Sequence, residues 1–577
     1  MIVLVVGSCT TDRSATDEGS ASATAVPRPE GADPAVVLVE VGEELGLRFV
    51  HHAGSTTEYA LPAIMGGGAA VFDADGDGRL DVYLIAAGDS GSAGAEGSGT
   101  PNRLFLQRED GRFVDATSGS GLGDRGYGMG CAVGDIDNDG DIDVYVTNWG
   151  EDELYRNRGD GTFEKVTKSA GVATSGLSMS ATFLDYDRDG YLDLYVTRYV
   201  RFDPGVRCIQ DGARRDFCGP MQFAGESDVL YRNLGGGRFA DVSREAGIRS
   251  LEDAGLGVIA ADFDDDGWID VYVANDADPN HLWMNQGDGT FVEEGLLMGA
   301  ALNRFGEAEA GMGVVAGDAD GDGDLDLFVT HLYEESNTFY ENDGIGGFLD
   351  ATVERGLAMP SVSYTGFGVA LVDLDNDTDL DLAIVNGAVK RRPASLSEVA
   401  GWWAPYAEPN QLMLNQGNGR YLDASADCGT FCSEVEVSRG LIAADIDADG
   451  DLDLLVTNLE GPVRLYRNQG TGEEPGKLAW LQIRVLDPAL RREALGAKVT
   501  VVTATRELVR HATPIGGYLT SGPAQIHVGL GAEEEVRRIE VRWPTGEREH
   551  FAGGPARRVV ELNRGEGVPP AQDGTGS

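Results

Sequence analysis

Seven times along the chain, aspartates recur at alternate positions of a short loop, and carboxylates at that spacing do one kind of chemistry. The copies are Asp73, Asp75, Asp77 and Asp81; Asp135, Asp137, Asp139 and Asp143; Asp185, Asp187, Asp189 and Asp193; and Asp262, Asp264, Asp266 and Asp270. They continue with Asp318, Asp320, Asp322 and Asp326; Asp373, Asp375, Asp377 and Asp381; and Asp445, Asp447, Asp449 and Asp453. Each obeys D-x-D-x-D-G-x-x-D, except that Thr378 stands where the sixth copy should have Gly. Side chains at positions 1, 3 and 5 of such a turn converge on a point, Gly at 6 permits the sharp bend, and hard oxygen ligands select calcium. An EF-hand would need a bidentate Glu at position 12 between helices. Here position 12 is Leu84, Val146, Val196, Val273, Val329, Ile384 and Val456. The expectation is a β-turn-β loop with side-chain ligands at 1, 3, 5 and 9, a backbone carbonyl at 7, and up to seven Ca2+ ions. The alternative is an acidic turn without metal, and it weighs most on the sixth copy.

The elements that must hold these loops follow from the flanking sequence. Each ninth Asp runs into a β-branched or aromatic strand such as DVYV, and each loop is preceded by a strand of small residues such as GMGCAVGD, suited to crowding around an axis. A third strand (ELYRN, VLYRN, RLYRN), a Gly-rich turn and a fourth strand (TFEKVT, RFADVS) complete the repeat. Four strands in each of seven repeats predict an all-β fold, a seven-bladed β-propeller over residues 36–476. Only six fourth strands follow the loops. The missing one is expected at the N-terminus, where VVLVEVGEELGL matches FEKVTKSAGV in register, so that the N-terminal strand closes the last blade. From about residue 477 the Asp loops stop, Arg becomes frequent, and alternating strands predict a small antiparallel β domain over 477–563. Residues 1–35 read as a signal or lipobox remnant with a disordered linker, and 564–577 as a disordered tail.

The longer repeats carry their extra residues between second and third strands, at 86–102, 199–228 and 388–410, on the face opposite the loops. Insertions on one face of a repeat array mark a candidate binding surface. At the mouth of the second strands stand Asn148, Arg198, Asn275, His331 and Asn386, with Trp149, Trp402, Trp403 and Tyr406 nearby. Two readings stay open: a ring that binds a glycan, peptide or protein ligand, or strand-end groups that hydrogen-bond the adjacent connections while the aromatics pack the insertion.

With 96 acidic and 45 basic residues the formal net charge is −51, which excludes nucleic acid as a whole-chain partner. Val6-Gly7-Ser8-Cys9 resembles a lipoprotein cleavage box, with Cys9 the residue to be lipidated, so any membrane contact is expected only through that anchor. Cys208 with Cys218, and Cys428 with Cys432, are close enough in sequence for two local disulfides, which fits an extracytoplasmic location, secreted, periplasmic or on the outer membrane. No G-x-S-x-G, P-loop or H-E-x-x-H element occurs. The function expected is a calcium-binding scaffold that presents its elaborated face to a ligand. The alternative is an enzyme acting on a polysaccharide or secondary metabolite in the funnel, with His51, His52 or His331 as acid or base and no catalytic constellation legible.

The Asp loops followed by LYRN-x-G-D-G-x-F resemble FG-GAP/VCBS repeats. The stretch from Trp480 through Leu495-Gly496-Ala497, Gly516-Gly517-Tyr518-Leu519, His527-Val528-Gly529-Leu530-Gly531 and Val541-Arg542-Trp543-Pro544-Thr545-Gly546 resembles an ASPIC/UnbV domain. With Phe49-Val50-His51-His52 and Ile64-Met65-Gly66-Gly67-Gly68 ahead of the first loop, the whole is similar to bacterial relatives of cartilage acidic protein 1. The resemblance implies an extracytoplasmic calcium-binding protein and leaves the ligand undefined.

Overall fold

A computed structural model describes residues 36–53, 59–88, 100–210, 214–392, 401–470, 478–514 and 516–570. Its strands pair into seven four-stranded antiparallel units, six built from the strands of one repeat and the last shared between the two ends of the array. The first unit is Ala69–Phe72, Asp81–Leu84, Arg103–Gln107 and Phe113–Asp115. The last is Ser438–Ala444, Asp453–Asn458 and Arg464–Asn468, completed by Leu38–Glu40 from the N-terminus. That strand lies antiparallel to the third, with Leu38 opposite Asn468 and Glu40 opposite Tyr466, so the two ends of the array are joined by main-chain pairing. The fold is a β-propeller closed as the sequence predicts.

A side-chain ring reinforces the closure. The last residue of each third strand donates its side-chain amide to the carbonyl of the second loop residue in the preceding unit. Asn157 reaches Ala74, Asn233 Ile136, Asn285 Tyr186, Asn342 Phe263, Asn415 Ala319 and Asn468 Leu374, at 2.7–3.1 Å. In the first unit Gln107 takes this role and reaches Ile446 of the last loop at 2.8 Å. The donors are buried, and losing one would leave a desolvated carbonyl at ~1–3 kcal/mol.

The C-terminal segment forms two further four-stranded sheets. One has Ala479–Asp487 at its centre, antiparallel to Ile526–Gly531 and Arg492–Glu493 but parallel to Arg558–Asn563, a departure from the all-antiparallel expectation. The other runs Glu507–His511, Lys498–Val502, Glu535–Arg542, Arg548–Pro555. Leu481, Ile483, Val499, Val501, Val528, Ile539 and Trp543 fill the space between them.

Between two of these strands the chain enters the axis of the propeller. Thr520–Ser521 pairs in parallel with Ala69–Ala70 of the first unit. The Leu519 amide donates to Ser180 Oγ at 3.0 Å, its carbonyl accepts from Cys131 N at 3.2 Å, and Thr520 Oγ1 donates to Leu441 O at 3.2 Å. From the opposite end a short helix, Leu61–Met65, closes the channel, and the two plugs meet where Tyr518 Oη donates to Met65 O at 2.8 Å. Here lies the physical reason for the small inner strands. A Cβ on Gly68, Gly130 or Gly257 would come within 2.4–2.8 Å of this inserted backbone, and one on Gly517 within 1.8 Å of Val314 O. Tyr518 and Leu519 are fully buried among Met129, Met179, Leu256, Met312 and Phe367, worth ~1.5–3 kcal/mol for each large apolar side chain.

Candidate metal centres

The Asp loops sit at one end of the seven units, and their backbone shape is common to all. In the first loop Asp73 Oδ1 accepts from Gly76 N and Asp77 N, at 2.8 and 3.1 Å, while Oδ2 accepts from Gly78 N at 2.8 Å. The fifth-position Asp77 accepts from Arg79 N at 3.0 Å. The ninth-position carboxylate ties the turn to its own sheet: Asp81 accepts from Ala74 N and Gln107 N. Equivalent pairs hold Asp143, Asp193, Asp270, Asp326, Asp381 and Asp453. Position 4 is left-handed in every loop, although its residues are Gly76, Asn138, Arg188, Asp265, Gly321, Asn376 and Ala448. Only the Gly and Asn copies hint at this in the sequence. Thr378 keeps the sixth loop in the same shape at φ +97°. Its carbonyl accepts from Arg510 Nη2 at 3.0 Å, and its hydroxyl is bonded by Arg506.

What the loops can do is set by where their oxygens point. Carboxylate oxygens of Asp73, Asp75 and Asp81 lie within 4.8 Å of one another, as do those of Asp135, Asp137 and Asp143; Asp185, Asp187 and Asp193; Asp262, Asp264 and Asp270; and Asp318, Asp320 and Asp322. Five Oδ1 atoms, on Asp75, Asp137, Asp185, Asp262 and Asp447, are buried with no hydrogen-bond partner. On Asp185, Asp262 and Asp447 the Oδ2 atom is held. Asp187 and Asp447 pair through Oδ2 with Arg232 and Arg467 of the L-Y-R-N strands, at 2.7 and 2.8 Å, and Asp137 Oδ2 lies 3.9 Å from Arg156. An orphaned buried carboxylate oxygen costs several kcal/mol unless a cation meets it. Hard oxygens of this kind, converging in a loop, fit a calcium ion.

Burial is the main cause of a further effect. It pushes the carboxyls of Asp81 and Asp445 up to about 7 and that of Asp326 up to about 8, with neighbouring aspartates adding to the rise. Asp143, Asp193, Asp270, Asp373, Asp381 and Asp453 are raised well above the carboxylate range by the same desolvation.

The C-terminal sheets lie over this loop face and bring positive charge to it. Arg542 Nη2 is 2.6 Å from Asp262 Oδ2 and 2.8 Å from Asp265 Oδ1, and Lys498 Nζ is 3.1 Å from Asp265. Arg492 donates to Asn138 Oδ1 at 3.0 Å and stands 3.7 Å from Asp185 Oδ2. Arg506 pairs with Asp379, His527 bonds Asn376 at 2.7 Å, and Gln482 bonds Asp445 Oδ2. Beside the first loop the cover lifts, leaving a cleft of ~560 Å3 between Asp73, Gly76 and Gln107 on one side and Arg484, Leu486 and Val559 on the other.

At the opposite end the ring residues turn inward to their own connections. Asn148 Nδ2 donates to Glu151 O at 2.9 Å, Asn275 Nδ2 to Pro279 O at 2.7 Å, and Asn386 Nδ2 to Pro409 O at 2.8 Å. His331 Nδ1 meets Ser336 O at 3.0 Å, and Arg198 pairs with Glu226 at 2.6 Å. All five are buried. Trp149 packs between Tyr127 and Phe202 with ring centroids 5.3 and 5.2 Å away. Trp402, Trp403 and Tyr406 cluster with Phe217, and Tyr406 Oη and Arg391 N both donate to Asp216. Two long insertions are thereby joined to each other. Both Trp402 and Trp403 keep part of their surface in solvent. His51 Nδ1 lies 2.9 Å from Ile85 O, and burial lowers His51 and His331 to about 4. Disulfides link Cys208 to Cys218 and Cys428 to Cys432, while Cys131 is free and buried. Cys9 lies outside the described residues. Among the described residues no helix is long and apolar enough to cross a membrane.

Residues 488–569 match the ASPIC and UnbV family, and 73–146, 135–196, 262–329 and 319–384 match the FG-GAP-like repeat. Human cartilage acidic protein 1 is 27% identical over 339 residues, 56% of this chain and 46% of the human one. The mouse protein is 27% identical over 317 residues, 53% and 44% of the two chains. The match thus spans less than half the length of these relatives. Among solved structures, an Agrocybe aegerita lectin that recognises non-reducing terminal N-acetylglucosamine is 14% identical at a TM-score of 0.34, covering 76% of this chain and 94% of its own. YCF48 bound to a D1 peptide is 9% identical at 0.39, covering 76% and 99%. The chain thus carries segments matching the FG-GAP-like repeat and ASPIC/UnbV families and is similar, at 27% identity, to cartilage acidic protein 1.

Proposed function

We propose that this relative of cartilage acidic protein 1 is an extracytoplasmic calcium-binding scaffold. Its Asp loops hold up to seven Ca2+ ions, and its elaborated face receives a glycan, peptide or protein partner. The observation that carries the calcium reading is the set of buried, unpartnered Oδ1 atoms on Asp75, Asp137, Asp185, Asp262 and Asp447. Aspartates 1, 3, 5 and 9 of each loop would hold the ion, joined by the carbonyl at 7, and calcium would supply charge neutralisation and cross-linking of the turn. Two disulfides support an oxidising compartment, with Cys9 the site of a lipid anchor. For the partner, the part-exposed Trp402 and Trp403 beside Arg391 offer an aromatic platform with a charged edge.

Calcium at 100 times its dissociation constant contributes ~2.7 kcal/mol per site. Stripping several sites should therefore lower Tm by ~10 °C in a chain of this size. Thermal unfolding with and without EGTA, restored by Ca2+ but not by Mg2+, is the test; a shift below ~2 °C ends the calcium reading. A glycan and peptide binding screen, repeated with Trp402→Ala, tests the platform. Undiminished binding by that variant would move the partner site elsewhere.

A further inference from the structure

We infer that the C-terminal sheets supply positioning residues to individual calcium loops: Arg542 to the fourth, Arg492 to the third and Gln482 to the seventh. The inference rests on the calcium reading above and concerns how the loops are tuned.

On Asp262 and Asp185 the geometry divides the two oxygens of the first aspartate between two tasks. Asp262 Oδ2 accepts from Gly267 N at 2.9 Å and from Arg542 Nη2 at 2.6 Å, while its Oδ1 is buried and has no partner. Asp185 repeats the pattern, with Gly190 N on Oδ2 at 3.1 Å, Arg492 3.7 Å from that oxygen, and Oδ1 unpartnered. On Asp445 the same Oδ2 accepts from Gly450 N and from the neutral amide of Gln482, while Oδ1 accepts from Asp449 N at 3.1 Å. The guanidinium and the ion therefore address different oxygens of one carboxylate, and they reinforce each other where competition for one oxygen would set them against each other. Fixing Oδ2 removes the carboxylate's freedom to rotate, so Oδ1 stays aimed at the ion. Arg is suited to this because the same Nη2 also reaches Asp265 Oδ1 at 2.8 Å while the other arm of its planar fork, Nη1, donates to Asp265 O at 3.1 Å. In the first loop Asp73 is held by the Gly76, Asp77 and Gly78 amides of its own turn and faces the cleft, so this loop serves as the internal reference.

Linkage follows. If seating of the C-terminal sheets tightens these loops, then ions in these loops tighten the seating by the same factor.

The test uses the full chain, stripped with EGTA and titrated with calcium alone by calorimetry and equilibrium dialysis. Outer-shell partners of this kind change metal affinity ~10–100-fold. Arg542→Met is expected to weaken one site by that factor and leave the others unchanged, and Arg542→Lys to recover most of the loss. Amide exchange in residues 535–542 should slow on adding calcium in the wild type and not in Arg542→Met. Unchanged affinities in Arg542→Met, or a tighter site, would overturn the inference while leaving calcium binding intact. A wild type that takes up no calcium overturns the reading beneath it. Should Arg542→Met fail to fold, Gln482→Ala decides, because it removes one neutral amide at the seventh loop, and there an unchanged site would be fatal to the idea.

Discussion

The two ends of the propeller are made by the same strands and solve opposite problems. At the loop end, each second strand begins with an aspartate pinned by two backbone amides, and its neighbours crowd carboxylates together until oxygens are left without donors. At the other end, the same strands carry Asn148, Asn275 and Asn386, whose amide nitrogens donate to backbone carbonyls further along their own chain. One face is complete only with positive charge from outside the repeat, from ions and from the C-terminal Arg and Lys residues; at the other the Asn amide nitrogens are spent on their own chain, while the Oδ1 atoms of Asn148, Asn275 and Asn386 stay buried without a partner. A polar ring is therefore no guide to a ligand by itself. What matters is whether its donors and acceptors are already spent.

The pH dependence of calcium stabilisation should separate the faces most sharply. The loop carboxyls of Asp81, Asp326 and Asp445, with values of about 7 to 8 in the folded chain, hold protons that the unfolded chain gives up near 3.8. Without calcium, their contribution to stability is present below about 4 and is lost as pH rises through about 7 to 8. His51 and His331, lowered to about 4, act in the other direction, losing stability as pH falls from 6.5 toward 4. They do so equally with and without calcium. The calcium-induced rise in Tm should thus be several degrees larger at pH 8 than at pH 5. Equal shifts at both would mean that the loop carboxylates are not the groups calcium neutralises.

A smaller effect probes how the two faces communicate through the axis. Tyr518→Ala removes a buried ring and the bond to Met65 O, and should cost ~3–5 kcal/mol in chemical unfolding. Loss below ~1 kcal/mol would show that the inserted strand is not part of the cooperative core. Smaller still, Asn275→Ala should cost ~1–3 kcal/mol, the penalty of leaving Pro279 O without its donor. If instead it abolished partner binding at unchanged stability, the ring would face a ligand and the contrast between the ends would fail.

Much of this was legible because it is periodic. Loops, strands and the N-terminal closure repeat a local pattern whose physics is contained within about twenty residues: Gly or Asn where φ is positive, Asp where amides converge, β-branched residues where strands pair. The Arg and Asn of L-Y-R-N were visible as a motif, but their targets, the second aspartate of their own loop and a carbonyl of the preceding unit, lie across strand pairs that the string does not draw. The insertions illustrate the same limit. Trp402, Trp403 and Tyr406 suit a ligand platform or a packing cluster equally well until Phe217 and Asp216 are found beside them.

By itself, the sequence determined the repeat, the strand order, the acidic loops and the two disulfide pairs, since each depends on residues near one another along the chain. Only the tertiary structure decided that Gly517 to Ser521 fill the propeller axis, that the C-terminal Arg residues meet the loop aspartates, and that the Asn ring spends its amide donors on its own connections. The first two of these join residues hundreds of positions apart. They are selected by burial and charge complementarity, for which a linear string carries composition but no address.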